Sequence, residues 1–218
     1  MFRIRCTRVA FVATAALAAG LLGVPRASAQ STRVDLTGPF VQFGGVAGSV
    51  TGESGPVGDS HAGYGWGAGA GLGISAHFAV VAGYAIYRVR DQTSRPYNLE
   101  QSEFGWRTRV GGTSAPVVFF LEGGGAIRQA DLRTSELFGT LPPAGADSVT
   151  RVTGWAGWFG PGVQWYAGGS RRIALDVAVA WGWGDWSKAR VQGRSLKLPD
   201  PIGFTTLRLR AGLAVVLF

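Results

Sequence analysis

The residues that could carry chemistry are few, and most are charged groups set singly among apolar or small neighbours. Two histidines and one cysteine are present. His61 follows Asp59 and Ser60, but side chains of adjacent residues diverge, so Asp59-Ser60-His61 makes no working triad. It reads as part of a solvated outer loop. His77 falls in a tight connection on the opposite side, and two histidines so separated make no metal site. Gly65-x-Gly67-x-x-Ala70 matches a relaxed dinucleotide fingerprint. It opens no helix, however, and sits in a run where glycine alternates. No catalytic residue and no cofactor are expected. What remains is ionic. Glu122 and Asp176 stand with Arg107, Arg109, Arg208 and Arg210 in otherwise apolar segments, with Glu103 nearby. Charges of opposite sign can pair and hydrogen-bond where water is excluded. A second set, Arg88, Arg90, Lys188, Arg190, Arg194 and Lys197, gathers where the sequence turns polar. These suit phosphate groups, which they could hold by charge-assisted hydrogen bonds.

The segments carrying the first set have a period of two, the mark of β-strands with distinct faces. In Ile173–Gly184 the large apolar residues take the odd positions, and the even positions are small apart from Asp176. In Gly63–Ile74 every odd position is glycine and the even face carries Tyr64, Trp66, Leu72 and Ile74. Glu122 and Arg128 share a face with Gly124 and Ala126, opposite Phe119, Leu121 and Ile127. Arg107 and Arg109 oppose Phe104, Trp106 and Val110, and Arg208 and Arg210 oppose Leu207, Leu209 and Leu213. The charge always lies on the face without the bulk. A soluble sheet would do the reverse. Turned toward lipid, an arginine near mid-membrane would cost about 2–4 kcal/mol. Turned inward, it can join an ion network inside a barrel.

Eight such runs are found, near 39–50, 63–74, 77–90, 102–112, 117–130, 149–166, 172–185 and 202–218. The connections between them alternate strictly: long, short, long, short, long, short, long. The short ones are Ser75-Ala76, Thr113–Pro116 and Ala167–Arg171, and the long ones are roughly 51–62, 91–101, 131–148 and 186–201. Membrane barrels have even strand numbers, short periplasmic turns and longer outer loops. The reading is therefore all-β: an eight-stranded, antiparallel, up-and-down transmembrane barrel with both termini periplasmic. Two aromatic belts are expected. Tyr64, Trp66, Tyr84, Phe104, Trp106, Trp181 and Trp183 would lie toward the outer ends, with Phe40, Phe43, Phe78, Phe119, Trp165, Tyr166 and Phe218 toward the periplasmic ends.

The first 29 residues read as a signal peptide. Arg3, Arg5 and Arg8 precede the apolar run Val9–Val24, and Ala27-Ser28-Ala29 is a cleavage site. The run is shorter than the roughly 20 residues of a membrane helix. Residues 30–38 form a short lead-in and 39–218 the barrel. Cys6 leaves with the signal, as do Arg3, Arg5, Arg8 and Arg26, so the formal charge falls from +8 to +4. That modest charge on an exported chain does not point to nucleic acid. The 35 glycines and eight tryptophans suit a membrane barrel and suit helices badly.

With this leader, eight alternating runs and a terminal Phe218, the chain resembles the small outer-membrane barrels of Gram-negative bacteria. It is similar to the barrel domain of the outer-membrane protein A family. The resemblance implies that Phe218 serves as a signal to the barrel assembly machinery. It also implies an outer-membrane location, with lipid and lipopolysaccharide as surroundings. The expected role is non-enzymatic: envelope integrity, or surface interaction through the outer loops. The alternatives are a narrow, porin-like pore for ions or small solutes and, less favoured, a lipid A-modifying enzyme. Such enzymes need a Ser or His with an orienting acid near the outer membrane edge. The sequence names no surface ligand and no oligomeric state.

Overall fold

The computed structural model describes residues 37–52, 60–90, 96–110, 115–133, 149–167, 172–191 and 194–217. Eight strands form: β1 (Gly38–Gly52), β2 (Ser60–Gly73), β3 (Phe78–Arg90), β4 (Tyr97–Val110), β5 (Val117–Arg133), β6 (Val149–Ala167), β7 (Ile173–Val191) and β8 (Arg194–Val216). Each pairs antiparallel with its neighbours, and β1 pairs with β8, so the sheet closes on itself. The inner and outer faces follow the alternation. Trp181 and Phe104 are 64% and 67% exposed on the outside, whereas Arg107 and Asp176 are 0% and 2% exposed within.

Glycine lets the wall bend and the interior fill. Gly44 and Gly212 face each other across the β1–β8 seam. A Cβ on either would overlap the partner strand's backbone. Gly71 and Gly162 leave room for the rings of Phe40 and Phe120, and those rings stack around the Arg107 guanidinium, with Cζ 5.7 and 4.0 Å from the centroids. The glycine alternation thus provides seats for lumen side chains as well as curvature.

Several expectations need correction. Phe40 and Tyr166 turn inward and are buried, so they leave the periplasmic belt. Trp106 pairs in register with Val80 and touches Phe159 at 6.2 Å, which places it toward the turn end of the barrel. The largest correction concerns 186–201, expected as a loop. β7 and β8 stay paired up to Val191↔Arg194. Pro199, Asp200 and Pro201 gave that stretch the composition of a loop. The ladder passes from Trp186↔Ile202 to Lys188↔Lys197, so this stretch is an irregularity inside β8 opposite Ser187, and pairing resumes beyond it. β4 likewise begins at Tyr97 and β2 at Ser60. The signal peptide, its cleavage site and Phe218 lie outside the described residues.

Candidate functional site

The interior has three storeys, each set by strand parity. At the turn end Val118, Tyr166, Ala174 and Ala214 form a small apolar floor. At the opposite end Val50, Tyr87, Val89, Leu99, Val152, Trp186, Leu198 and Phe204 pack together, with the Trp186 and Phe204 rings tilted against each other at 4.7 Å between centroids. Charges lie between them.

Arg107 is central. Its Nη1 donates to Asp176 Oδ2 at 3.1 Å. Its Nη2 donates to Glu122 Oε2 at 2.9 Å and to Gln42 Oε1 at 3.0 Å. Arg210 reaches the same two carboxylates, with Nη2 3.0 Å from Asp176 and 3.1 Å from Glu122. Gln164 Nε2 donates to Asp176 at 3.0 Å, and the Tyr166 hydroxyl donates to Gln164 Oε1 at 3.1 Å. The cluster therefore ties β1, β4, β5, β6, β7 and β8 across the lumen. Register helps: Arg107 is the Cα partner of Glu122, and Gln164 that of Asp176. Arg109 is buried too, beside Tyr166 toward the turn end.

A second layer lies toward the loop end. Arg208 Nη1 donates to Glu103 Oε2 at 2.6 Å, and its guanidinium lies over Trp158 at 5.3 Å. Gln101 Nε2 donates to Glu103 at 2.9 Å. Arg128 Nε donates to Gln101 Oε1 at 2.7 Å, its Nη2 to Thr206 Oγ1 at 3.0 Å, and its Cζ lies 5.0 Å from the Phe204 ring centroid. The sequence placed Arg128 on the charged face without assigning it a role. Gln42, Gln101, Gln164 and Thr206 carried no charge to mark them, but each shares the inward parity of its strand.

Small cavities of about 20 Å³ each open along the barrel wall among the described residues. One lies by Gln42, Glu103, Asp176, Arg208 and Arg210, and another by Gln101, Arg128, Thr206 and Arg208. Each is of the size that holds water, for which ~10–15 Å³ suffices.

His61 is not in a solvated loop. It lies on β2, is 4% exposed, and meets Tyr97 edge-on at 6.3 Å inside the mouth. It shares parity with the inward glycines of β2, and that was the available signal. His77 is exposed at the turn and accepts from Arg109 N through its carbonyl. Among the described residues no group of three or more His, Cys, Asp or Glu could hold a metal.

The basic set lies on the wall. Arg88, Arg90, Lys188, Arg190 and Lys197 are exposed. Arg194 opens β8, and its side chain lies outside the described residues. Lys188 is the Cα partner of Lys197, and Arg190 that of Arg151. Arg151, not singled out in the sequence, pairs with Asp131 at 2.9 Å and approaches Glu100 at 3.6 Å. Arg88 and Arg90 stand on β3, apart from this cluster.

A barrel closed on itself, with its aromatic and aliphatic bulk outside and its charge within, decides the fold. It is that of a small outer-membrane β-barrel. Neisserial surface protein A has a similar structure, with a TM-score of 0.54 and 16% identity over 83% of this chain and 98% of that one. The attachment invasion locus protein Ail of Yersinia pestis matches with a TM-score of 0.48 and 14% identity, over 82% and 99% of the two chains. OprG of Pseudomonas aeruginosa matches at 0.45 and 11%, over 83% and 96%. No protein-family model matches the chain, and no curated protein matches it in sequence.

Proposed function

We propose that this chain is a non-enzymatic barrel of the bacterial outer membrane, exported by a leader cleaved after Ala29. On this reading its role, in envelope integrity or surface interaction, is exercised by its exterior and not through its lumen. One observation carries the reading: the lumen is crossed by hydrogen-bonded charge between two apolar storeys. An eight-stranded barrel is just filled by its own side chains, and the small, water-sized cavities fit that expectation. The outward bulk supports a lipid setting, because an apolar surface of this extent in water would aggregate.

The partner we propose for the wall is lipopolysaccharide phosphate, met by Lys188, Arg190, Arg194 and Lys197 with Arg88 and Arg90 on the far side. Lys188 directly opposite Lys197 is an unfavourable pair without an anion. Assembly would proceed through the barrel assembly machinery, with Phe218 as the terminal signal. His61, enclosed against Tyr97, lacks the lipid-edge setting that lipid A chemistry would need. Single-channel recording of the folded chain in planar bilayers tests the closed lumen. Quiet bilayers at matched insertion are the expected result. Steady unitary openings would overturn it in favour of the narrow pore.

A further inference from the structure

Among the described residues, the upper lumen holds a positive charge that no carboxylate contacts. Glu103 is taken by Arg208. Arg128, 3% exposed, donates only to the neutral oxygens of Gln101 and Thr206 among the described residues. Among the described residues its Nη1 is buried without a hydrogen-bond partner, and so is Nη2 of Arg208. Arginine does not shed its proton in such surroundings, so the charge stays and the two N–H groups need an acceptor. The Phe204 ring face offsets the charge only in part. Both arginines line the same cavity of about 20 Å³, together with Tyr87, Gln101, Thr206, Val50, Val89 and Leu99.

We propose that this cavity is a binding site for one halide-sized anion, chloride in ordinary media, held by Arg128 Nη1 and Arg208 Nη2. A water there would complete hydrogen bonds but leave the charge. A halide does both, and it needs no orientation of its own donors. The space excludes phosphate, sulfate and carboxylate metabolites, so the site is distinct in chemistry from the phosphate-suited cations on the wall. It holds or fails independently of any surface role.

The test uses the full chain folded in detergent. Crystals grown in sodium bromide are expected to show an anomalous peak within hydrogen-bond reach of both arginines, absent from an Arg128→Met crystal. Wild-type protein is also expected to unfold several-fold more slowly in sodium chloride than in sodium gluconate of equal ionic strength, since gluconate is too large to enter. Should Arg128→Met fail to fold, the two wild-type measurements decide alone. Bromide crystals with no such peak, or equal unfolding rates in the two salts, overturn the proposal.

Discussion

Arg107 has no exposed surface, and each of its terminal nitrogens meets a carboxylate oxygen. Its planar fork spans Glu122 and Asp176 in a way a lysine's point charge could not. Without it, two buried carboxylates would share Arg210 alone. Breaking one side of such a buried arrangement costs about 3–5 kcal/mol, mostly as uncompensated charge. Arg107→Ala is therefore expected to lower the unfolding free energy of the folded barrel by about that amount, and Arg107→Lys to recover only part of it. Urea titration in lipid vesicles, followed by tryptophan fluorescence, measures both. A loss below about 1 kcal/mol would mean that water enters and solvates the carboxylates. Much of this cluster could be read from parity: Arg107, Glu122, Asp176 and Arg210 each stand opposite bulk in their own strands. Which carboxylate meets which arginine could not be read, because Glu122 and Asp176 are joined by side chains from non-adjacent strands. Arg128 and Glu103 illustrate the same limit, since the period of two gives a face and not a height or a reach.

At the scale of elements, the register shift between Trp186 and Lys188 decides what the wall presents. Before it, Trp181 and Trp183 point outward and Trp186 is buried; after it, Ala189 is buried and Lys188 and Arg190 are exposed. One extra residue in a strand changes which parity faces out. Without Ser187, the extra residue of β7 against β6, Ala189 would face lipid headgroups and Lys188 and Arg190 would turn toward the lumen mouth. Replacing Lys188, Arg190, Arg194 and Lys197 by Gln is expected to weaken lipopolysaccharide association and flatten its salt dependence. Deleting Ser187 is expected to do the same with all four charges retained. Co-purification with lipopolysaccharide across a salt series reads both, and unchanged association in the fourfold variant sinks the phosphate reading. The sequence hid this device. A bulge interrupts the very alternation by which strands are recognised, and Pro199 and Pro201 lie beside it, so the stretch reads as loop. Phe40 and Tyr166 were hidden for another reason: an aromatic ring suits a lipid belt and a packed lumen equally well. Only the space left by facing residues such as Gly71 chooses between them.

The closure of the whole molecule joins these scales. Every strand is paired on both sides, β1 with β8 included, so no edge offers a place where unfolding can start. The ionic storey ties strands that are not neighbours in the sheet, and the glycine seam at Gly44 and Gly212 lets the last pair approach. A local opening must therefore break ladder bonds on two sides and expose buried charge together. That sets a high barrier to unfolding, which is a statement about rate. The folded chain is expected to resist dodecyl sulfate at room temperature and to run as a compact band. After boiling it should run more slowly, near its 22.8 kDa mass if the leader is retained and somewhat lower if it is removed. The conversion temperature should fall in Arg107→Ala, because the network bridges non-adjacent strands. It should stay close to wild type in the fourfold Gln variant, whose changes lie on the wall beyond the network. One unchanging mobility at every temperature would count against a closed barrel. An equal fall in both variants would show that the lumen charge is not what resists opening.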